Sequence, residues 1–108
     1  MALKAILIDS REPAWIKELT FGGTPVSVIE LPAGDLKAVT DDNQVLLIER
    51  KTPDDLLNSI RDERLFPQCT RLAQERIDQL LAGIVPNVWP YLLICGQLQA
   101  GPGGKAVT

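Results

Sequence analysis

An α/β sandwich, with a mixed central β-sheet flanked by helices, follows from three features of the sequence. Apolar, β-prone runs of strand length recur at residues 3–8, 26–31, 36–40, 45–49 and 91–95. Helical spacing of apolar residues appears after the first run and again between the fourth and fifth. Gly, Pro, Asp and Asn clusters separate these segments, and an order of strand, helix, three strands, two helices and strand requires helices to cover the sheet.

The first run, Leu3 to Ile8, ends at Asp9-Ser10-Arg11-Glu12-Pro13, where proline stops a strand and opens a helix. From Ala14, the spacing of Trp15, Ile16 and Leu19 predicts a short helix with one buried face, ended by Phe21 to Pro25. Val26 to Leu31 is the next expected strand and Pro32 to Asp35 a turn. Leu36 to Thr40 and Val45 to Glu49 then form a hairpin around Asp41-Asp42-Asn43-Gln44.

Thr52 is a natural N-cap, with Pro53 and Asp55 at the first and third helical positions, so a helix is expected to about Asp62. A second helix is expected from Leu65 to Ala82, with Phe66, Cys69, Leu72, Ala73, Ile77, Leu80 and Leu81 on its apolar face and Gly83 as cap. Pro86 and Pro90 bracket a connector before a last strand, Tyr91 to Cys95. Residues 1–99 are read as one domain and 100–108 as a flexible tail.

Composition narrows the chemistry. A hydrophobic fraction of 45% and a charged fraction of 23% are those of an ordinary globular protein. Neither a spanning apolar run of ~20 residues nor a signal-peptide pattern is present, so an intracellular setting is expected, cytoplasmic, nucleoid or nuclear, with no membrane association. The two cysteines, Cys69 and Cys95, lie in apolar segments and are expected to be reduced core thiols.

There are no histidines, which excludes Ser-His-Asp and Cys-His triads and the commonest zinc ligand. Carboxylates, lysine and arginine remain, a set suited to a hard cation and to phosphates. The net charge of -3 opposes a protein that grips nucleic acid over its whole surface.

The informative stretch is Gly34-Asp35, thirteen residues containing the hairpin, then Glu49-Arg50-Lys51. A hairpin returns its ends side by side, and residues i and i+2 of a strand share a face. Glu49 and Lys51 therefore share a face within reach of Asp35, while Arg50 points the other way. A carboxylate pair beside an ammonium is what phosphodiester hydrolysis with a bound magnesium ion requires.

These residues resemble the nuclease domain of the XPF/Hef family, whose signature is Gly-Asp followed by Glu-Arg-Lys-x-x-x-Asp. Here the signature occupies Gly34-Asp35 and Glu49-Arg50-Lys51-Thr52-Pro53-Asp54-Asp55, and the resemblance extends to Asp9-Ser10-Arg11-Glu12-Pro13, to Ser59 through Gln68, and to Arg71-Leu72. It covers roughly residues 4 to 96. It implies a restriction-endonuclease-like three-layer sandwich and a magnesium- or manganese-dependent endonuclease acting on branched DNA such as flaps and forks.

By the same resemblance, Asp35, Glu49 and Asp9 are candidate metal ligands and Lys51 the candidate catalytic lysine, with Arg50 and Asp55 also in the signature. Arg11, Arg61, Arg64, Gln68 and Arg71 are candidates for DNA contact or for organising the site. Plainer roles stand beside these. Asp55 suits a helix first turn, and Arg61, Arg64 and Arg71 have acidic neighbours in Asp62, Glu63 and Glu75. Trp15 and Trp89 suit a core or a subunit interface as well as base stacking.

Family members usually carry further helices and another strand that make a dimer, and many carry helix-hairpin-helix modules that supply duplex affinity. Neither follows the last strand here, so the chain is read either as truncated relative to the family or as a minimal stand-alone version of it. A dimer, another DNA-binding domain or a protein partner stays open, as does a catalytically silent DNA-binding or scaffolding module of the same fold. Glu63 stands where the family has glycine.

Overall fold

The computed structural model describes residues 2–96; the expected tail, 100–108, lies outside them. Nine elements follow in order: β1 (Leu3–Asp9), α1 (Ala14–Lys17), β2 (Val26–Ile29), β3 (Leu36–Thr40), β4 (Val45–Lys51), α2 (Pro53–Arg61), α3 (Leu65–Leu72), α4 (Gln74–Leu81) and β5 (Val88–Ile94). The five strands form one mixed sheet in the order β2-β1-β3-β4-β5. β1 pairs parallel with β2 and antiparallel with β3, β3 pairs antiparallel with β4, and β4 pairs parallel with β5.

Strand alternation divides the interior into two cores. Ile6, Ile8 and Ala38 point to one face with Leu46 of β4 beside them, and Ile16 of α1 covers them together with Phe21. Leu47 and Val88 point to the other, beneath Leu72 of α3. The sheet is thus the middle of three layers, as expected.

Several expectations are corrected. The long second helix is broken at Ala73 into α3 and α4, and Gly83 closes α4 with a positive φ of 73°. α1 is a single turn that buries only Ile16, leaving Trp15 57% exposed. Helical spacing alone placed Phe66 and Leu81 in the core, yet they are 84% and 82% exposed, because the short helices meet the sheet over little more than Leu72. Cys69 is exposed and Cys95 half-buried, both as free thiols.

β2 stops at Ile29, β4 runs on to Lys51, and β5 begins at Val88 and passes through Pro90. A proline is tolerated there because, among the described residues, β5 is an edge strand with one side unpaired.

α2 is the element most faithfully encoded. Thr52 accepts the Asp55 backbone N–H at 3.1 Å, and Pro53 occupies the first turn. At its other end, Glu63 N–H bonds the Ile60 carbonyl and Arg64 N–H bonds the Ser59 carbonyl, which is a Schellman cap. The cap requires a left-handed residue, and Glu63 takes it at φ 59°.

Candidate active site

Strand register builds the site. Ile8 is opposite Leu36, and Leu36 is opposite Ile48, so the next residues along, Asp9, Asp35 and Glu49, come into line across three strands on the α3 face. Backbone bonds hold that line: Asp9 N–H to the Asp35 carbonyl and Asp35 N–H to the Ile48 carbonyl, each 2.8 Å. Gly34 makes the approach possible. It has φ 76°, and a Cβ there would stand 2.8 Å from Leu47 Cδ1 and 3.3 Å from the Ile48 carbonyl oxygen.

A cleft of about 380 Å³ opens over this line, walled by the loop Leu31–Gly34, by Arg11 and by Gln68, Arg71 and Leu72 of α3. Of the candidate residues, the cleft brings together Asp9, Arg11, Asp35, Glu49, Gln68 and Arg71. Lys51, on the same face as Glu49, is close enough for its charge to act on that carboxyl.

The three acids have different surroundings. Asp35 Oδ2 accepts the Arg50 backbone N–H at 2.8 Å, which fixes the plane of that carboxylate. The Glu49 carboxyl has its pKa raised, first by burial and then by the negative charge of Asp35, while Lys51 and Arg71 pull it back down. Asp9 is 3% exposed and fully engaged. Arg11 donates to both its oxygens at 2.9 Å and the Leu31 N–H donates at 2.8 Å, so its pKa falls to about 2 despite burial.

Asp9 therefore ties the β2–β3 loop to β1 instead of offering free oxygens to the cleft. Among the described residues, no three of Asp, Glu, Cys and His stand close enough together to form a metal-binding cluster. The donors that do face the cleft are all oxygens: Asp35, Glu49 and Gln68, whose Oε1 is buried without a hydrogen-bond partner. Two carboxylates that repel each other beside an unpaired amide oxygen fit a hard divalent cation.

The remaining candidates lie apart from the cleft. Arg50 points to the α1 face, as alternation requires, and pairs with buried Glu12 at 2.8 Å. Asp55 and Arg61 are exposed on α2, and Arg64 pairs with Asp62 at 3.2 Å on the surface. Trp89 donates its Nε1–H to Gln44 and lies 4.1 Å from the Arg76 guanidinium, so its indole is engaged within the fold. Glu12 is the functional neighbour that the sequence reading passed over. The outward aim of Arg50 was its available signal, because a half-buried guanidinium needs an acid on its own face.

Fold and cleft together define a mixed-sheet α/β domain with an acidic line across strand ends and a cationic wall. The model of the ERCC4 domain matches residues 8–100, and the chain belongs to that family, one of structure-specific nucleases. The XPF-type resemblance read from the signature, and the layered fold it implied, are thereby met.

Among solved structures, the chain is similar to XPF from Aeropyrum pernix in complex with DNA, at 25% identity and a TM-score of 0.49 over 84% of this chain and 56% of that one. It is also similar to XPF from Aeropyrum pernix, at 24% identity and a TM-score of 0.48 over 83% and 53%. The chain thus spans little more than half the length of these two. No curated protein matches it significantly.

Proposed function

We propose that this domain is a magnesium- or manganese-dependent endonuclease that hydrolyses DNA phosphodiesters next to a junction between duplex and single strand. The observation that carries the reading is Asp35 and Glu49 side by side in a cleft whose opposite wall bears Arg71 and the unpartnered Gln68 oxygen. Asp35 and Glu49 would hold the cation, which when bound neutralises the scissile phosphate and acidifies an attacking water.

The chain's own groups supply the rest. The Arg50 N–H orients Asp35. Lys51 and Arg71 place positive charge around Glu49, where Arg71 can hold a phosphate oxygen and the Lys51 ammonium can donate to the attacking water, hold it in place and stabilise the charge that builds on the phosphoryl oxygens. Asp9 and Arg11 act as positioning residues that lock the Leu31–Asp35 loop. With a net charge of -3, DNA is held through few phosphate contacts, so affinity is weak and drops as salt rises unless a second domain, a partner or a second copy adds to it. DNA as substrate sets the domain inside the cell, and no helix of the described residues is long and apolar enough to cross a membrane.

The test is cleavage of labelled flap, fork and plain duplex DNA with magnesium or manganese. Wild type cuts flap or fork, and Asp35→Ala and Glu49→Ala do not; a folded wild type that cuts none of the three substrates overturns the reading. A silent scaffolding module of the same fold is the second reading, favoured by the engagement of Asp9 with Arg11. Calorimetric titration with manganese separates the two, since a scaffold has no need of binding that disappears in Asp35→Ala.

A further inference from the structure

The outer surface of α3 carries a feature that cleft chemistry does not use. Gln68 and Leu72 turn toward the sheet, whereas Phe66 is 84% exposed. Its ring lines a shallow apolar groove with Pro67, Thr70, Arg71 and Gln74. An aromatic ring left in water contributes little to the fold, so the groove is better explained by what it receives.

Three observations select the occupant. Arg71 lines both groove and cleft, which makes the two one continuous surface. Arg71 forms no ion pair among the described residues, so its guanidinium is available to an anion at the junction of the two. Two polar donors of the groove are turned back onto their own helices: the Thr70 hydroxyl donates to the Phe66 carbonyl, and the Gln74 amide donates to Asp78. What remains is a flat ring and a proline beside a cation, a surface that accepts a π-face and reads no base edge.

We infer that Phe66 is a stacking platform for an unpaired nucleobase whose neighbouring phosphate is held by Arg71, on the single strand leaving the cleft. This deepens the nuclease reading by giving the domain a way to prefer unpaired over paired DNA without reading sequence. A second copy of the chain would leave Arg71 unused, and a groove of five residues is small beside the interface a stable dimer needs.

The experiment is fluorescence anisotropy of a labelled fork and a labelled duplex in low-salt buffer containing EDTA, with wild type, Phe66→Ala and Phe66→Trp. Phe66→Ala weakens fork binding about tenfold and leaves duplex binding unchanged, while Phe66→Trp retains fork affinity. Equal losses on both DNAs, no loss on the fork, or a change confined to concentration-dependent self-association overturns the inference. Binding in EDTA needs no cleavage, so this result stands apart from the fate of the nuclease reading. Phe66 is exposed, and an unchanged circular dichroism spectrum verifies that each variant is folded.

Discussion

Glu12 and Arg50 form a buried ion pair on the face of the sheet opposite the cleft, with Arg50 Nη2 2.8 Å and Nε 3.2 Å from Glu12 Oε2. The Glu12 side chain is 5% exposed and the Arg50 side chain 18%. Trp15 lies 5.8 Å from the guanidinium and shields it further. The same Arg50 presents its backbone N–H to Asp35, so one residue links the ion pair to the acidic line.

Removing one partner strands the other as a buried charge. Glu12→Ala and Arg50→Ala are each expected to cost about 3 kcal/mol in urea denaturation, with the double variant costing less than their sum. Additive losses would show that the pair is not coupled.

Asp9 gives the fold an acid limb. Its pKa is about 2 in the folded chain against an ordinary 3.8, a depression due first to Arg11. The carboxylate therefore contributes stability that is fully present above about pH 4 and is lost as pH falls through 2, on the order of 2 kcal/mol. Asp9→Asn is expected to flatten the stability profile between those pH values, and an unchanged acid limb would contradict this.

Glu49 has the opposite sign. Its raised pKa means that ionisation costs stability as pH rises through the folded value, the burden of keeping a carboxylate partly buried and beside Asp35. Glu49→Gln is expected to stabilise the metal-free domain at neutral pH while abolishing cleavage. The urea midpoint and the fork assay read the two effects separately.

Glu63 holds a left-handed conformation at φ 59° in the cap of α2. A side chain there costs roughly 1 kcal/mol relative to glycine, so Glu63→Gly is expected to raise the urea midpoint by that amount. Cleavage should not change, since Glu63 lies outside the cleft.

How much of this was legible in the sequence depends on the range of the interaction. Thr52, Pro53 and Asp55 encode α2 within four residues, and the structure follows them. The alternation of Glu49, Arg50 and Lys51 likewise determines which face each takes once the strand exists. The break at Ala73 could not be read, because helical spacing of the apolar residues continues unchanged from Leu65 to Leu81 across it.

The role of Asp9 could not be read either. Its partners are Arg11, two residues away, and Leu31, twenty-two away, and only the parallel pairing of β1 with β2 brings the second within reach. Glu12 and Arg50 meet across 38 positions for the same kind of reason.

The alternating faces of β4 constrain how this domain can vary in length. Gain or loss of one residue between Val45 and Ile48 would turn Glu49 toward Glu12 and bring Arg50 into the cleft, inverting the charge of both layers at once. Substitutions along this segment can be absorbed one at a time, whereas a single added residue preserves both faces only where a bulge, such as the register shift between Leu3 and Ala5 in β1, or a loop at either end takes it up.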